Sequence, residues 1–486
     1  MQLSFYGGVN EIGGNKFLLA YRDTRVFLDF GKSFTRENQF FDFPLLQPFY
    51  IPDLKKIHAI PDLPGLYRDS MDPPTVDGVL VTHPHVDHFG YISLLSPQVP
   101  VHIGAGAKTL IDIRSECYRA GWDRRLTHLT FETFRTGRGG AVGEVTYQPF
   151  SVDHSIPASY GFILQVGGKT VVYTGDLRLH GTHRGLTERF LHALEGETVD
   201  VLLCEGTNLA PTRQTPSLRA FEQEYTRRRG TAAPQRVATP CATEADVARE
   251  LTRLIEAADG LVLVETSPAD IDRIRTIWQA AQAAGRTLIL DARQAYLAYE
   301  LDARDPSIHD LPCPQDSGVY LSRVRDRDGA TEGAEARTKW RPQYQQTLLE
   351  HCDQVYLGPE GRAAIRRQAE AYVLCTDNAA QKLLELKEGP PIPCHFVLSK
   401  SEPFNEEMVI TFDRLLHWLA AYDVTHYHEI HVSGHCGRRD LKTVIAAATP
   451  RLLVPVHTEH PTLMARLARR TAHAVHIPQF HSTIQI

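Results

Sequence analysis

Three histidines and an aspartate crowd into His83-Pro84-His85-Val86-Asp87-His88, directly after the apolar run Gly78-Val79-Leu80-Val81. A short apolar run of this kind is a buried strand, so it delivers the loop to a sheet edge. Imidazole nitrogens at His-X-His spacing can converge on one ion, while Asp87 and His88 serve a second ion on the other side of the loop. Pro84 stiffens the turn between the first pair. A single His at a strand end would be an ordinary surface or core residue. This density at this spacing points to a dinuclear metallohydrolase. Leu94 and Leu95 predict a helix starting near Phe89.

Downstream residues supply the rest of a metal cage. His154 follows a β-rich run at 150–153, Asp176 follows Val171-Val172-Tyr173-Thr174-Gly175, and His457 ends the run 452–456. Taken together they fill two sites: His83, His85 and His154 for one ion, and Asp87, His88 and His457 for the other, with Asp176 bridging. Two Zn2+ ions suit this imidazole and carboxylate set, and Mn2+ suits its carboxylate-rich half. Water held between two such ions becomes a ready nucleophile, and two ions match the charge that builds up in phosphodiester hydrolysis. Asp29 ends the run Val26-Phe27-Leu28 and is expected to orient the ligand loop by hydrogen bonds.

With 486 residues, 42% hydrophobic and 23% charged, the chain is globular and long enough for two or three domains of ~100–200 residues each. Its formal net charge of −6 excludes a protein that coats nucleic acid through bulk positive charge. A local basic groove remains compatible with that charge. The eight cysteines form no Cys-X-X-Cys pair, which excludes a thiolate zinc knuckle and predicts reduced thiols in a cytoplasmic protein. No basic segment followed by an apolar stretch opens the chain, and no run reaches the ~18–20 apolar residues of a membrane span, so no membrane partner is expected.

The first ~200 residues alternate β-rich runs with glycine turns. From about Asn208 the rhythm changes to strands alternating with helices, the mark of an open parallel sheet. Helices are predicted at 217–229, 244–258 (with Thr243 as cap) and 269–284, and strands at 236–240, 261–265 and 287–291. Residues 35–74, rich in Pro, Asp and aromatics, read as a long ordered excursion, and 323–339 as a charged loop. After 404 the first style returns. The expected organisation is one domain, 1–207 and 405–486, interrupted by another at 208–404.

Several motifs resemble the metallo-β-lactamase superfamily and, within it, the β-CASP nucleases of the ribonuclease J type. Gly7-Gly8-Val9-Asn10-Glu11-Ile12-Gly13-Gly14-Asn15 is similar to that family's opening turn, and His83–His88 to its metal loop. His154-Ser155-Ile156-Pro157-Ala158-Ser159 and Thr174-Gly175-Asp176 match the next two motifs. Leu203-Cys204-Glu205-Gly206-Thr207-Asn208, His431-Val432-Ser433-Gly434-His435 and Pro455-Val456-His457 resemble the three β-CASP motifs in order. Asp272-Arg273 and Ala283-Ala284-Gly285-Arg286 add to the likeness.

The resemblance implies an α/β fold: a metallo-β-lactamase αββα sandwich interrupted by an inserted β-CASP α/β domain with a mostly parallel sheet. It implies Asp87 and Asp176 at the catalytic metals and His457 as a ligand from beyond the insertion. His435 would bind the scissile phosphate or protonate the leaving oxygen, with Glu205 holding its orientation and Ser433 helping to hold the phosphate. The family forms a homodimer through a further C-terminal domain, which the stretch from Thr458 to Ile486 is too short to hold. Thr458 stands where the family has a Gly, and its Gly-Ser-Gln-Gly-Glu segment is not evident near Leu398-Ser399-Lys400-Ser401-Glu402-Pro403.

The implied activity is an exo- or endonuclease acting on RNA or single-stranded DNA, with its active site in the cleft between the domains. A hydrolase of a small ester, thioester or lactone, or a binding protein that has lost catalysis, remains open on the same fold.

Overall fold

The computed structural model describes residues 1–42, 45–117, 126–210, 226, 235–322, 341–386, 392–400, 406–424 and 426–486. The chain divides into two compact units, Met1–Thr212 with Gly434–Ile486, and Arg213–Ser433.

The first unit is built on two seven-stranded sheets. One runs in the order Thr483–Gln485, Gln2–Phe5, Phe17–Tyr21, Thr24–Leu28, Gly78–Val81, Val101–Gly104, Phe131–Phe134. The other runs Ala474–Val475, Leu452–Val456, Val201–Glu205, Lys169–Tyr173, Ser159–Val166, Val145–Val152, Gly140–Val142. Alternation along the strands decides which way each residue faces. Leu203 and Val171 pack between the sheets with Phe5, Phe17, Leu80 and Phe162. Their neighbours Leu202 and Val172 face outward under Phe190, Leu194, Leu441 and Val444 of the helices Arg184–Leu194 and Arg438–Ala448. Val79 and Val81 face the other way, under Leu54, Ile92 and Ile111. The result is the αββα layering. Strands buried on both faces explain the continuous apolar runs of the sequence.

The ligand loops all leave the carboxyl ends of these strands. His83 follows Gly78–Val81, His154 follows Val145–Val152, Asp176 follows Lys169–Tyr173 and His457 follows Leu452–Val456. The expected helix from Phe89 is not formed; only the single turn Val86–Phe89 and a 3-10 turn at Ile92–Leu94 are present. A continuing helix would spend the Tyr91 amide on the Asp87 carbonyl. Tyr91 N instead donates to Phe30 O (3.0 Å), and Asp87 O accepts from Asn15 N (3.1 Å). The excursion at 35–74 packs Ile51, Leu54, Leu66 and Tyr67 into the core beside the helices Phe34–Phe40 and Ile51–Lys56.

The second unit is an eight-stranded, all-parallel sheet in the order Gln235–Pro240, His426–His431, Cys394–Leu398, Leu261–Glu265, Tyr372–Thr376, Thr287–Asp291, Gly318–Leu321, Val355–Leu357. Its end lies later than the expected 404. The strand His426–His431 pairs with Gln235–Pro240 and Cys394–Leu398, so the segment up to Ser433 belongs here. The helix expected at 217–229 (Thr226 apart) and the loop at 323–339 lie outside the described residues. None of the eight cysteines forms a disulfide. Among the described residues no helix is long and apolar enough to cross a membrane.

Thr243 caps the helix Glu244–Ala257: its hydroxyl accepts from Asp246 N, while the Asp246 carboxylate accepts from Thr243 N. Removing such a cap costs about 1 kcal/mol. Thr243→Ala is therefore expected to lower the unfolding free energy by that amount, read as a lower urea midpoint, while leaving the metal content unchanged.

Candidate metal centre

Three overlapping groups of possible ligand atoms converge at the strand ends of the first unit: His83, His85, His154 and Asp176; Asp87, His88 and His457; and Asp176, Glu205, His435 and His457. His83 Nε2 lies 3.0 Å from His85 Nδ1, which lies 3.1 Å from His154 Nε2. His457 Nε2 lies 3.0 Å from Asp87 Oδ2, with His88 Nε2 3.9 Å from the same oxygen. Asp176 Oδ2 stands among these atoms, 3.1 Å from His88, 3.6 Å from His83, 3.8 Å from His457 and 3.9 Å from His154. Within each group every pair of ligand atoms is closer than 4.8 Å.

The residues fit divalent ions by their own chemistry. Asp176 Oδ1 is buried without a hydrogen-bond partner, a costly state that coordination would relieve. The second nitrogen of each of three ligand imidazoles is already committed, which turns the other toward the cluster. His154 Nδ1 donates to Gly434 O (2.6 Å), His457 Nδ1 pairs with Thr207 Oγ1 (2.7 Å), and His88 Nδ1 donates to Asp29 Oδ2 (2.7 Å). Asp29 also accepts from Thr82 N (2.7 Å) and Tyr173 OH (2.7 Å), so it ties the ligand loop to the neighbouring strand and to the other sheet.

His435 stands beside the cluster. Its Nδ1 is 3.5 Å from Glu205 Oε1 and 3.8 Å from Asp176 Oδ2. Glu205 is buried, and its other oxygen accepts from Thr207 N (3.0 Å). Ser433 is the last residue of the inserted unit.

Several supports escaped the sequence reading. Asp153 accepts from the buried Arg178 guanidinium (Nε–Oδ1, 2.9 Å), and Arg178 N donates to Asp153 O (2.8 Å), which fastens the His154 loop to the Asp176 loop. Asn15 Nδ2 donates to Asp87 O (3.4 Å) and lies 3.0 Å from His88 Nε2. Gly31 lets the first loop come this close, since a Cβ there would sit 1.6 Å from Asp87 O. The carboxylates and glycines were visible as residue types, but their partners are distant in sequence.

Comparison with known proteins agrees with this architecture. Residues 51–250 match a beta-lactamase superfamily domain, and residues 424–478 match a Zn-dependent metallo-hydrolase RNA specificity domain. The chain is 26% identical to ribonuclease J of Mycobacterium tuberculosis over 470 residues, 94% of this chain and 68% of that one. It is also 26% identical to ribonuclease J of Thermus thermophilus over 467 residues, 93% and 67% of the two chains. These matches make the chain similar to the metallo-β-lactamase superfamily and, along most of its length, to its ribonuclease J-like branch. The crystal structure of a protein of unknown function from Enterococcus faecalis shares the fold, with a TM-score of 0.71 at 22% identity over 99% of each chain.

The electrostatics of this centre divide its candidate ligands. Burial, joined by the neighbouring imidazoles, pushes His83 and His154 well below the ordinary histidine value. Burial also brings His85 down to about 4. Burial opposes charge on His88 too, but Asp176, Asp29 and Asp87 outweigh it and raise His88 well above the ordinary value. Asp87 and Asp176 are held low against their burial by the surrounding imidazoles, His88 and His457 foremost. His435, partly exposed beside Glu205 and Asp176, is raised by these carboxylates against desolvation to about 9.

The pH dependence of the metal-free protein follows. His83, His85 and His154 bind protons more weakly folded than unfolded, so their contribution is present above pH ~6.5 and lost as pH falls toward 4. His88 and His435 titrate above that window, and Asp87 and Asp176 below it. Urea midpoints of the metal-free protein are thus expected to fall between pH 6.5 and 4.5. An unchanged midpoint over that range would contradict the assignment, and His85→Asn should flatten the slope.

Proposed function

We propose that the chain is a ribonuclease that hydrolyses RNA phosphodiesters with two bound zinc ions, one held by His83, His85 and His154 and one by Asp87, His88 and His457, with Asp176 shared. When bound, the ions supply an activated water and neutralise charge on the phosphate. The observation that carries the reading is the Glu205–His435 pair set against the ligand cluster. A metal cage alone serves many hydrolases. A partly exposed imidazole paired with a buried carboxylate beside it suits a reaction whose leaving oxygen needs a proton.

The residues divide the work as follows. Glu205 draws the Nδ1 proton of His435 toward itself and fixes the ring, leaving Nε2 to carry the proton delivered to the leaving oxygen. The Glu205 carboxylate beside Nδ1 favours the protonated imidazole. Ser433 precedes His435 by two residues and is proposed to hold the phosphate. RNA as the substrate class rests on the ribonuclease J relatives and on the RNA specificity domain match at 424–478.

The test is cleavage of 5′- and 3′-labelled RNA and single-stranded DNA by the zinc- or manganese-loaded protein, beside thioester and lactone substrates. RNA cleavage is expected, and it should vanish in Asp87→Ala/His88→Ala. His435→Ala should retain bound metal and lose ~10²–10⁴-fold in rate. Hydrolysis of the thioester or lactone without oligonucleotide cleavage would overturn the nuclease reading, and loss of metal from His435→Ala would overturn the role given to that residue.

A further inference from the structure

The Thr82 side chain sits where the two ligand sets meet. Its hydroxyl lies 2.9 Å from Asp29 Oδ2, 3.0 Å from His83 Nδ1 and 3.2 Å from His88 Nδ1. His83 serves one ion set and His88 the other, so one fully buried oxygen touches a ligand of each.

A hydroxyl has one proton to give. The Asp29 carboxylate can only accept, and His88 Nδ1 already donates to its Oδ2 at 2.7 Å. If the Thr82 proton pointed at His83, two oxygens would face each other at 2.9 Å with no proton between them. The proton therefore goes to Asp29, and the Thr82 oxygen accepts from His83 Nδ1–H. That choice leaves His83 Nε2 deprotonated, on the side of His85 and Asp176. His88 is fixed the same way by Asp29 itself.

The methyl group has its own place. A Cβ added at Gly175 would lie 3.1 Å from Thr82 Cγ2, so the methyl packs against the residue just before Asp176. Thr82 N and O are also fixed, to Asp29 Oδ1 (2.7 Å) and Tyr160 N (3.0 Å).

We propose that Thr82 is a positioning residue for both ion sites, its hydroxyl setting the tautomer of His83 through the same Asp29 carboxylate that sets His88. The inference rests on the two-ion reading above. It predicts that removing one hydroxyl weakens both sites, although Thr82 itself binds neither ion.

The test measures zinc and manganese affinity by chelator competition, with bound-metal analysis, for the wild type, Thr82→Val and Thr82→Ser. Thr82→Val keeps the shape and loses the hydroxyl; it should lose ~10–100-fold in affinity at both sites. Thr82→Ser keeps the hydroxyl and should stay within a few-fold of the wild type. Wild-type affinity in Thr82→Val, or loss at one site alone, would overturn the proposal. Should Thr82→Val fail to fold, nitrogen NMR of the histidine-labelled wild type reads the tautomer directly. His83 protonated on Nδ1 is expected, and protonation on Nε2 would overturn the inference. A wild type that binds no ion would overturn the two-ion reading instead.

Discussion

The Asp176 carboxylate is the charge on which the centre depends. One of its oxygens lies between 3.1 and 3.9 Å from ring nitrogens of His88, His83, His457, His435 and His154. Imidazoles packed this closely in a buried site would repel as soon as more than one carried a proton. Burial of a charge is tolerated only when it is paired and hydrogen-bonded. Asp176 supplies that pairing for the set nearest Asp87, while the His83, His85 and His154 set avoids the problem by staying neutral. The centre is thus half ionic and half neutral before any ion is considered. The same division gives each ion its own kind of ligand, imidazole nitrogens on one side and a carboxylate-rich set on the other.

Much of the local structure could be read from the sequence because it depends on near neighbours. The strands Leu261–Glu265, Thr287–Asp291 and Leu452–Val456 are continuous apolar runs, and Thr243 with Asp246 announces the helix that follows. The ligand residues were legible because chemistry restricts what can sit at strand ends in such density. What could not be read depends on partners far along the chain. The helix predicted from Phe89 fails because Asn15 and Phe30 take the bonds that would extend it. The strand Val101–Gly104 and the helix Ala105–Glu116 follow so closely that no turn residue other than Gly104 separates them, and neither stood out. The end of the insertion was misplaced because the helix Glu406–Ala421 carries the same pattern whichever sheet it serves. The pairing of His426–His431, with Phe412, Leu415 and Leu419 packed against Phe396 and Tyr427, assigns it.

The site residues show the same contrast. His154 and Asp176 were visible; the Asp153–Arg178 pair that joins their loops was not, since a buried Arg and Asp 25 residues apart look like any two surface charges. Thr82 lies between the apolar run and the ligand loop, and nothing in the sequence singles it out. Its role appears only when Asp29, 53 residues away, is placed against it.

The insertion raises a question of entropy, since Thr207 and His457 bond across 250 residues of chain. Closing a loop costs free energy only as the logarithm of its length, so a long insertion is far cheaper than its size suggests. Here the cost falls on a strand pair buried on both faces. Val201–Glu205 and Leu452–Val456 lie parallel in register, Glu205 opposite Val456, with Leu203 and Val454 in the core between the sheets. That register fixes the chemistry as well. It brings Glu205 and His457 out at one sheet edge, so the carboxylate that faces His435 and the ligand that completes the Asp87 set are positioned by the same pairing. A slip of one residue would turn the shifted strand's member of the pair to the wrong face and part it from the other. Closure of the insertion and assembly of the centre are therefore one structural event, and the buried apolar residues that secure the first also determine the second.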